Sequence, residues 1–162
     1  MRLALAALVA ACLAGAAQAV TITHAIVLDR SIAGVGLGET RTAIERRIGT
    51  GSLVSSRTDP SGRVERLAYD AAGLYVTYVS PGASAPRAAA GRAVVLETTW
   101  TSFSTPQGVH VGSPLKAVKA IPGTRCFGSV CQHGYSGRSS GTSFLVDPVR
   151  KKVVRIVVSA GR

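Results

Sequence analysis

The chain has 162 residues, with 19 Lys and Arg against 8 Asp and Glu, which gives a formal net charge of +11 at pH 7. A chain of this size buries about two-thirds of its unfolded surface, so it folds without a cofactor. The positive charge favours anionic partners such as lipid headgroups, cell-wall polyphosphates or an acidic protein surface. The bases are scattered along the chain, however, and a coding bias toward Ala, Gly and Arg explains the same excess.

Residues 1–19 have the layout of a secretory signal peptide, with an early charge at Arg2, an apolar run and the small-residue motif Ala17-Gln18-Ala19. Cleavage between Ala19 and Val20 would leave a mature chain of 143 residues. We expect that chain to be secreted or to lie in the periplasm or the cell envelope. The alternative is a lipobox at residues 9–12, which would anchor the protein through a lipid on Cys12. No later segment reaches the ~18 apolar residues that a span needs, so we expect no transmembrane span in the mature chain.

The first half of the remaining chain predicts a strand, a helix and a hairpin. Residues 20–29, VTITHAIVLD, alternate like a half-buried strand. A short helix is predicted over Arg41–Ile48, with Thr40 as its N-cap and Gly49 at its end. The strand over residues 63–69 then turns at residues 70–73 into a strand over residues 74–80.

The second half predicts the same elements after a break. Residues 81–92, PGASAPRAAAGR, have no periodicity and predict a linker or exposed loop. Residues 93–103 alternate as a strand, a helix is predicted over Pro114–Ala120 with Ser113 as its N-cap, and Gly123 ends it. A hairpin turning at Asp147-Pro148 leads into a valine-rich strand over residues 153–158.

One phrase occurs twice at an offset of 74 positions. GVGLGETRTAIERRIGT, Gly34 to Thr50, and GVHVGSPLKAVKAIPGT, Gly108 to Thr124, share six identities in seventeen positions, three of them glycines in corresponding turns. The sequence therefore predicts an α+β fold of two tandem β-α-β-β repeats, residues 20–80 and 93–162, joined by the linker 81–92. We expect an antiparallel sheet with the short helices packed on one face.

The segment TPQGVHVGSPLKAVKAIPGTRC, Thr105 to Cys126, resembles the turn-helix phrase of small exported bacterial proteins. That group includes the beta-lactamase inhibitor protein and the outer-membrane assembly lipoproteins of the SmpA/OmlA type. The resemblance implies a noncatalytic binder that uses an exposed sheet face or loops. Each half of the inhibitor fold is expected to hold its own disulfide, and the first half here has no cysteine after the cleavage site, so no binding residue is carried over.

The two cysteines that follow the predicted cleavage site are close in sequence. An even pair in an exported chain predicts a disulfide between Cys126 and Cys131. Together with His133 they are three candidate metal ligands, but a zinc site needs a fourth ligand, and the chain has no second cysteine pair. We therefore expect no metal site and no cofactor.

Catalytic signatures are missing from the sequence. The acidic residues fall in turns, exposed helix positions or mixed-charge strands, and no G-x-S-x-G motif marks a nucleophile. The phrase GVGLGE lacks the G-x-G-x-x-G form of a dinucleotide-binding loop. The sequence predicts that the protein is not an enzyme, with a hydrolase of unrecognised site as the alternative.

Three places are candidates for binding a partner. The first is the disulfide-braced loop, with candidate residues Phe127, His133, Tyr135 and Arg138. The second is a sheet face carrying a tyrosine, namely Tyr69, Tyr75 or Tyr78. The third is the basic turn Arg150-Lys151-Lys152, which a solvated hairpin tip would also explain.

The leading functional hypothesis is an exported, monomeric, noncatalytic interaction protein of the bacterial envelope or secretome. Its expected partner is an unknown protein or an anionic envelope component, and export excludes nucleic acid. The alternative within the binding class is a proteinaceous inhibitor of a secreted or periplasmic enzyme.

Overall fold

The computed structural model describes residues 23–60, 62–81, 91–134 and 140–161. The predicted signal peptide with its Ala19–Val20 cleavage site, the alternative anchor Cys12 and most of the linker lie outside these ranges. The loop residues Tyr135 and Arg138 lie outside them as well.

Strands dominate the described residues, and the helices are short. The two helices are α1 (Arg41–Ile48) and α2 (Leu115–Lys119). A 3₁₀ turn at Asp70–Ala72 joins two of the strands. The strands are β1 (Ile26–Val27), β2 (Ser31–Ile32), β3 (Val35–Gly36), β4 (Ser52–Asp59), β5 (Gly62–Tyr69), β6 (Leu74–Ser80), β7 (Arg92–Thr98), β8 (Arg125–Phe127), β9 (Val130–His133), β10 (Ser140–Val146) and β11 (Val153–Ala160).

The predicted α+β class is wrong, because the protein is mostly β and has two antiparallel sheets. The prediction missed β4, whose side chains between Ser52 and Thr58 are all exposed, so no buried face imposes an alternating pattern on them. It also missed β8 and β9, which are only three and four residues long. Strands that are short or exposed on both faces leave little hydrophobic periodicity to read.

The larger sheet has the strand order β4-β5-β6-β7-β11-β10-β9-β8, and the smaller one the order β1-β2-β3. Each helix is followed by a meander of four strands, β4–β7 after α1 and β8–β11 after α2. We call these units the first half and the second half. The halves join through their last strands, because β7 pairs antiparallel with β11. The predicted β-α-β-β unit is therefore wrong, since β7 closes the first meander where a strand opening the second repeat was predicted.

The two copies of the repeated phrase make the same backbone contacts. The Gly38 N–H donates to the Ala93 carbonyl at 2.7 Å, and the Gly112 N–H donates to the Val153 carbonyl at 2.7 Å. Both glycines have positive φ, 82° and 98°, which lets each turn approach the first residues of β7 or β11. Each copy thus packs on the start of the last strand of its own half.

A side-chain contact inside the phrase is also repeated. Glu39 Oε1 accepts the Gly36 N–H at 2.6 Å, and Ser113 Oγ accepts the His110 N–H at 3.0 Å. Both pairs differ by the same 74 positions, so a longer and a shorter side chain stabilise equivalent turns. Ser113 therefore does not cap α2, whose N-cap is Pro114 without a side-chain hydrogen bond.

One hydrophobic core runs through both halves. A row of paired residues crosses the larger sheet, in which Leu67, Val76, Leu96 and Val158 are fully buried. Ile44 and Ile48 of α1, Val118 of α2 and the strands β1–β3 complete the same cluster. Among the described residues, no helix is long and apolar enough to cross a membrane.

Candidate functional site

The turn between β10 and β11 is a well-ordered basic loop. Asp147 Oδ1 accepts the backbone N–H groups of Val149 and Arg150, both at 2.8 Å. These hydrogen bonds, that from Arg150 first, lower the pKa of the Asp147 carboxyl. The Lys151 N–H donates to the Asp147 carbonyl at 2.9 Å, which closes the turn. Three hydrogen bonds to Asp147 therefore close the predicted basic turn.

Helix α2 begins directly beside this turn. The Leu115 N–H donates to the Lys151 carbonyl at 2.8 Å, and Pro114 forms a β-bridge with Lys152. Lys116 is the next residue of the helix, and Lys119 lies three positions further along the same face. Two lysines remote in sequence thus join the basic turn.

We call Lys116, Lys119, Arg150, Lys151 and Lys152 the basic end. All five side chains are exposed, and within the described ranges no ion pair joins any of them to an acid. Positions 99–162 hold nine basic residues and a single acid, Asp147. The local charge is therefore strongly positive and has little internal compensation.

The disulfide-braced hairpin lies at the same end of the sheet. The structure contains the predicted Cys126–Cys131 disulfide, which joins directly paired residues of β8 and β9. The Val146 N–H donates to the Ser129 carbonyl at 2.7 Å, so the β8–β9 turn adjoins the start of the basic turn. Phe127, at the end of β8, is 67% exposed.

Apolar side chains accompany the basic end. Val149, in the basic turn, is 86% exposed, and Val154 of β11 is half exposed. Phe127 pairs with Val130, which pairs with Leu145 of β10 in the same row of the sheet. The result is an edge that combines exposed apolar side chains with uncompensated cations.

His133 points away from this edge and into the inner face of the sheet. Its Nδ1 lies 2.9 Å from Asp29 Oδ2, and Thr142 Oγ1 donates to Asp29 Oδ1 at 3.0 Å. Thr142 Oγ1 also accepts the Asp29 N–H at 2.7 Å, and Asp29 has a φ of 63°, in the left-handed region. These hydrogen bonds hold the β1–β2 turn against β9 and β10. No local sequence pattern indicates that the three residues are paired.

The predicted tyrosines divide between the two faces of the sheet. Tyr69 and Tyr78 are buried, and their hydroxyls are hydrogen-bonded at 2.7 Å. Burial is the first cause of the raised pKa of each phenol. Tyr75 lies on the outer face, where the guanidinium of Arg66 stacks 4.5 Å from its ring centroid. Two of the three tyrosines are therefore inaccessible to a partner.

Sequence reasoning missed Lys116 and Lys119 as members of a site. Both lie outside the apolar stripe of α2, which was a usable signal of exposure. Their closeness to the basic turn depends on a contact between residues 115 and 151, which no local pattern reveals. No group of three His, Cys, Asp or Glu in the part of the chain that the structure describes is placed to hold a metal ion.

Comparison with known proteins gives little beyond this geometry. The RHS Repeat family matches residues 49–85, which include β4, β5 and β6. An extracellular protein containing a SCP domain from Bacillus anthracis str. Ames is similar at 10% identity and a TM-score of 0.49. The match covers 76% of this chain and 44% of that one, so this chain spans less than half of its length.

The uncharacterized protein yfeY from Escherichia coli is similar at 10% identity and a TM-score of 0.44, over 82% of this chain and 95% of that one. No curated protein matches the sequence. These similarities are too low to support a conclusion about function. The resemblance of Thr105–Cys126 to the inhibitor and lipoprotein group stays a prediction.

Proposed function

We propose that the protein is an exported, noncatalytic binding protein that recognises an anionic partner through the basic end. The observation that carries the proposal is the group of five exposed cations, none of which is paired with an acid in the described part of the chain. Their positions are set by the α2 contact and the closed basic turn. A cluster of like charges attracts an anionic surface, and a backbone that is already fixed loses little conformational freedom on binding.

The surface of the first half, for which we propose no binding role, contains cations that are paired with acids. Arg41 pairs with Glu45 at 2.8 Å, Arg47 pairs with Glu39, and Arg66 pairs with Glu97 at 2.9 Å. Those cations are neutralised within the fold. The basic end differs in gathering five cations, unpaired among the described residues, in one place, and since four of them are lysines, the overall excess of arginine does not explain it.

The remaining parts of the proposal rest on separate observations. A disulfide is typical of proteins that fold in an oxidising compartment, which supports export. The carboxylate–imidazole pair Asp29–His133 is engaged with Thr142, whose hydroxyl already donates to the carboxylate and accepts a backbone N–H. That arrangement supports a role in holding the turn in place, consistent with a binder.

The test is binding to long-chain inorganic polyphosphate, measured by calorimetry at several salt concentrations. About five phosphate contacts should cost roughly a hundredfold in affinity between 50 and 200 mM salt. Lys151→Ala/Lys152→Ala should lower the slope of log K against log salt by about two. Arg30→Ala/Arg46→Ala removes the same charge from exposed positions of other segments and should leave the slope unchanged. Equal effects of the two double variants would contradict a localised site.

A further inference from the structure

Resting on the proposed function, we infer that the anionic partner is the surface of a phospholipid bilayer rich in anionic lipids. The basic end docks on the headgroups, and Phe127 and Val149 insert between them. The inference deepens the proposed function by naming the partner, and it stands on the apolar side chains as much as on the cations.

The two apolar side chains are placed for insertion. Phe127 and Val149 are the most exposed of the large apolar residues in the described chain, at 67% and 86%. Both lie at turns on the same end of the sheet, and Phe127 belongs to a row with Val130 and Leu145. Exposed apolar side chains beside polar groups mark protein or membrane contact sites, and at a membrane such side chains bury at the headgroup boundary.

The strand order keeps the hairpin and the basic turn within a short distance of each other. Three interstrand steps separate β8, which carries Phe127, from β11, which carries Val154, and that is about 15 Å. The Ser129–Val146 hydrogen bond and the Cys126–Cys131 disulfide hold the hairpin against its neighbour. The apolar and charged groups are therefore presented together, which lowers the ordering cost of docking.

The chemistry of the cations also favours headgroups. All four lysines of the chain belong to the basic end, whereas Glu39, Glu45 and Glu97 are each paired with an arginine. Arginine provides a rigid fork for bidentate partners, while lysine is a compact, strongly hydrated charge on a flexible stem. Flexible stems let the ammonium groups follow mobile headgroups while the methylene groups lie against apolar surface.

Lys151 has a backbone conformation that allows its charge to be removed without cost to the fold. Its φ is 53°, in the left-handed region that glycine adopts without cost and other residues adopt only with strain. Lysine is thus a poor choice for this turn on backbone grounds alone. Lys151→Gly should leave the fold unchanged or more stable while removing one charge from the docking surface.

The expected affinity follows from the number of cations. Each Lys or Arg close to an anionic bilayer raises binding about fivefold, so five of them contribute on the order of a thousandfold before any insertion. In this arrangement the described residues rest on the surface of the bilayer, so the binding that they provide should be reversible and should weaken as salt is added.

The experiment is flotation of the full protein with phosphatidylglycerol/phosphatidylcholine vesicles and with phosphatidylcholine vesicles alone. The expected result is binding to the anionic vesicles only. Lys151→Gly should weaken it about fivefold with no loss of thermal stability. Phe127→Ser should weaken vesicle binding and leave polyphosphate binding unchanged, because it changes an exposed apolar group and no charge.

The outcomes separate the two proposals. Binding to polyphosphate without binding to anionic vesicles would overturn the bilayer inference and leave the proposed function standing. Failure to bind either probe would overturn both. Wild-type vesicle binding by Phe127→Ser, or equal binding to neutral vesicles, would overturn the combination of charge and insertion on which the inference rests.

Discussion

The two copies of the turn-helix phrase share their turn contacts and differ in their surface. Gly38 and Gly112 donate to the first residues of β7 and β11 at the same distance, 2.7 Å. At the helix positions that correspond to Lys116 and Lys119, however, the first copy carries Thr42 and Glu45. One scaffold is therefore used twice, while the side chains that face solvent have diverged between the copies.

The charges show where the divergence leads. In the first copy, Glu45 pairs with Arg41, which also lies 3.5 Å from Glu65. The position of Arg41 corresponds to Leu115 in the second copy, and the position of Glu45 corresponds to Lys119. An internal ion-pair network has thus been exchanged for apolar contact and free cations. Under the function that we propose, the first half mainly supports the fold, whereas the second also presents a binding surface.

The largest expected effect on the free energy of unfolding comes from substitutions in the paired strands β7 and β11, which join the two halves. Leu96 of β7 and Val158 of β11 are paired and fully buried. Leu96→Ala should lower the free energy of unfolding by about 3 kcal/mol, and Val158→Ala by less because it removes a smaller group. Urea unfolding should show one transition for both variants, because both halves share one core. Two separate transitions, only one of them moved by Leu96→Ala, would show that the halves are independent.

The turn contacts of Gly38 and Gly112 occur in both copies, so replacing either glycine by alanine should lower the free energy of unfolding equally. Gly38 and Gly112 have positive φ, and an added Cβ would meet no atom within 4 Å at either position. Gly38→Ala and Gly112→Ala should therefore each cost about 1–2 kcal/mol from backbone strain alone. Thermal unfolding measures both, with the exposed Ser52→Ala as a control expected within about 0.5 kcal/mol of wild type. A large effect at one glycine and none at the other would contradict equivalent turns.

Alkaline pH should act on the first half through Tyr69 and Tyr78. Their pKa values are raised in the folded protein, first by burial, so folding favours the protonated phenols. The stability that depends on them is complete below the unfolded pKa near 10 and is lost as the pH rises above it. Tyr78→Phe should cost about 1 kcal/mol at pH 7, since it removes the hydroxyl pair.

The same variant should also reduce the slope of this stability loss above pH 10, because one of the two buried phenols no longer titrates. Urea titrations at several alkaline pH values measure the slope. An unchanged slope would show that these two hydroxyls do not govern alkaline unfolding.

The sequence predicted individual helices and strands correctly where a single local pattern determines them. Helix α1 begins and ends at the predicted residues Arg41 and Ile48, and Thr40 accepts the Ala43 N–H at 3.3 Å as its cap. Strand β6 was predicted from its alternation, and it buries every second side chain. Capping chemistry and a two-residue period are local properties, and short-range reasoning captures them.

The sequence did not predict how the strands and helices pack together, because that packing depends on contacts between residues distant in sequence. The exposed edge strand β4 has no apolar face that would reveal it, and the pairing of β7 with β11 joins the last strands of two separate meanders. The candidate site shows the same limit. The basic turn was identified in the sequence, but its extension by α2 requires the hydrogen bond between residues 115 and 151.

The most direct test replaces the exposed lysines of α2 by the residues at the equivalent positions of α1. Lys116→Thr/Lys119→Glu places the first copy's residues at the equivalent helix positions and removes three units of positive charge. The stability of the fold should change by less than about 0.5 kcal/mol, because both positions are exposed. Binding to anionic vesicles should fall by roughly a hundredfold, while Arg30→Ala/Arg46→Ala stays close to wild type. Unchanged vesicle binding by the α2 variant would contradict the division of roles between the two halves.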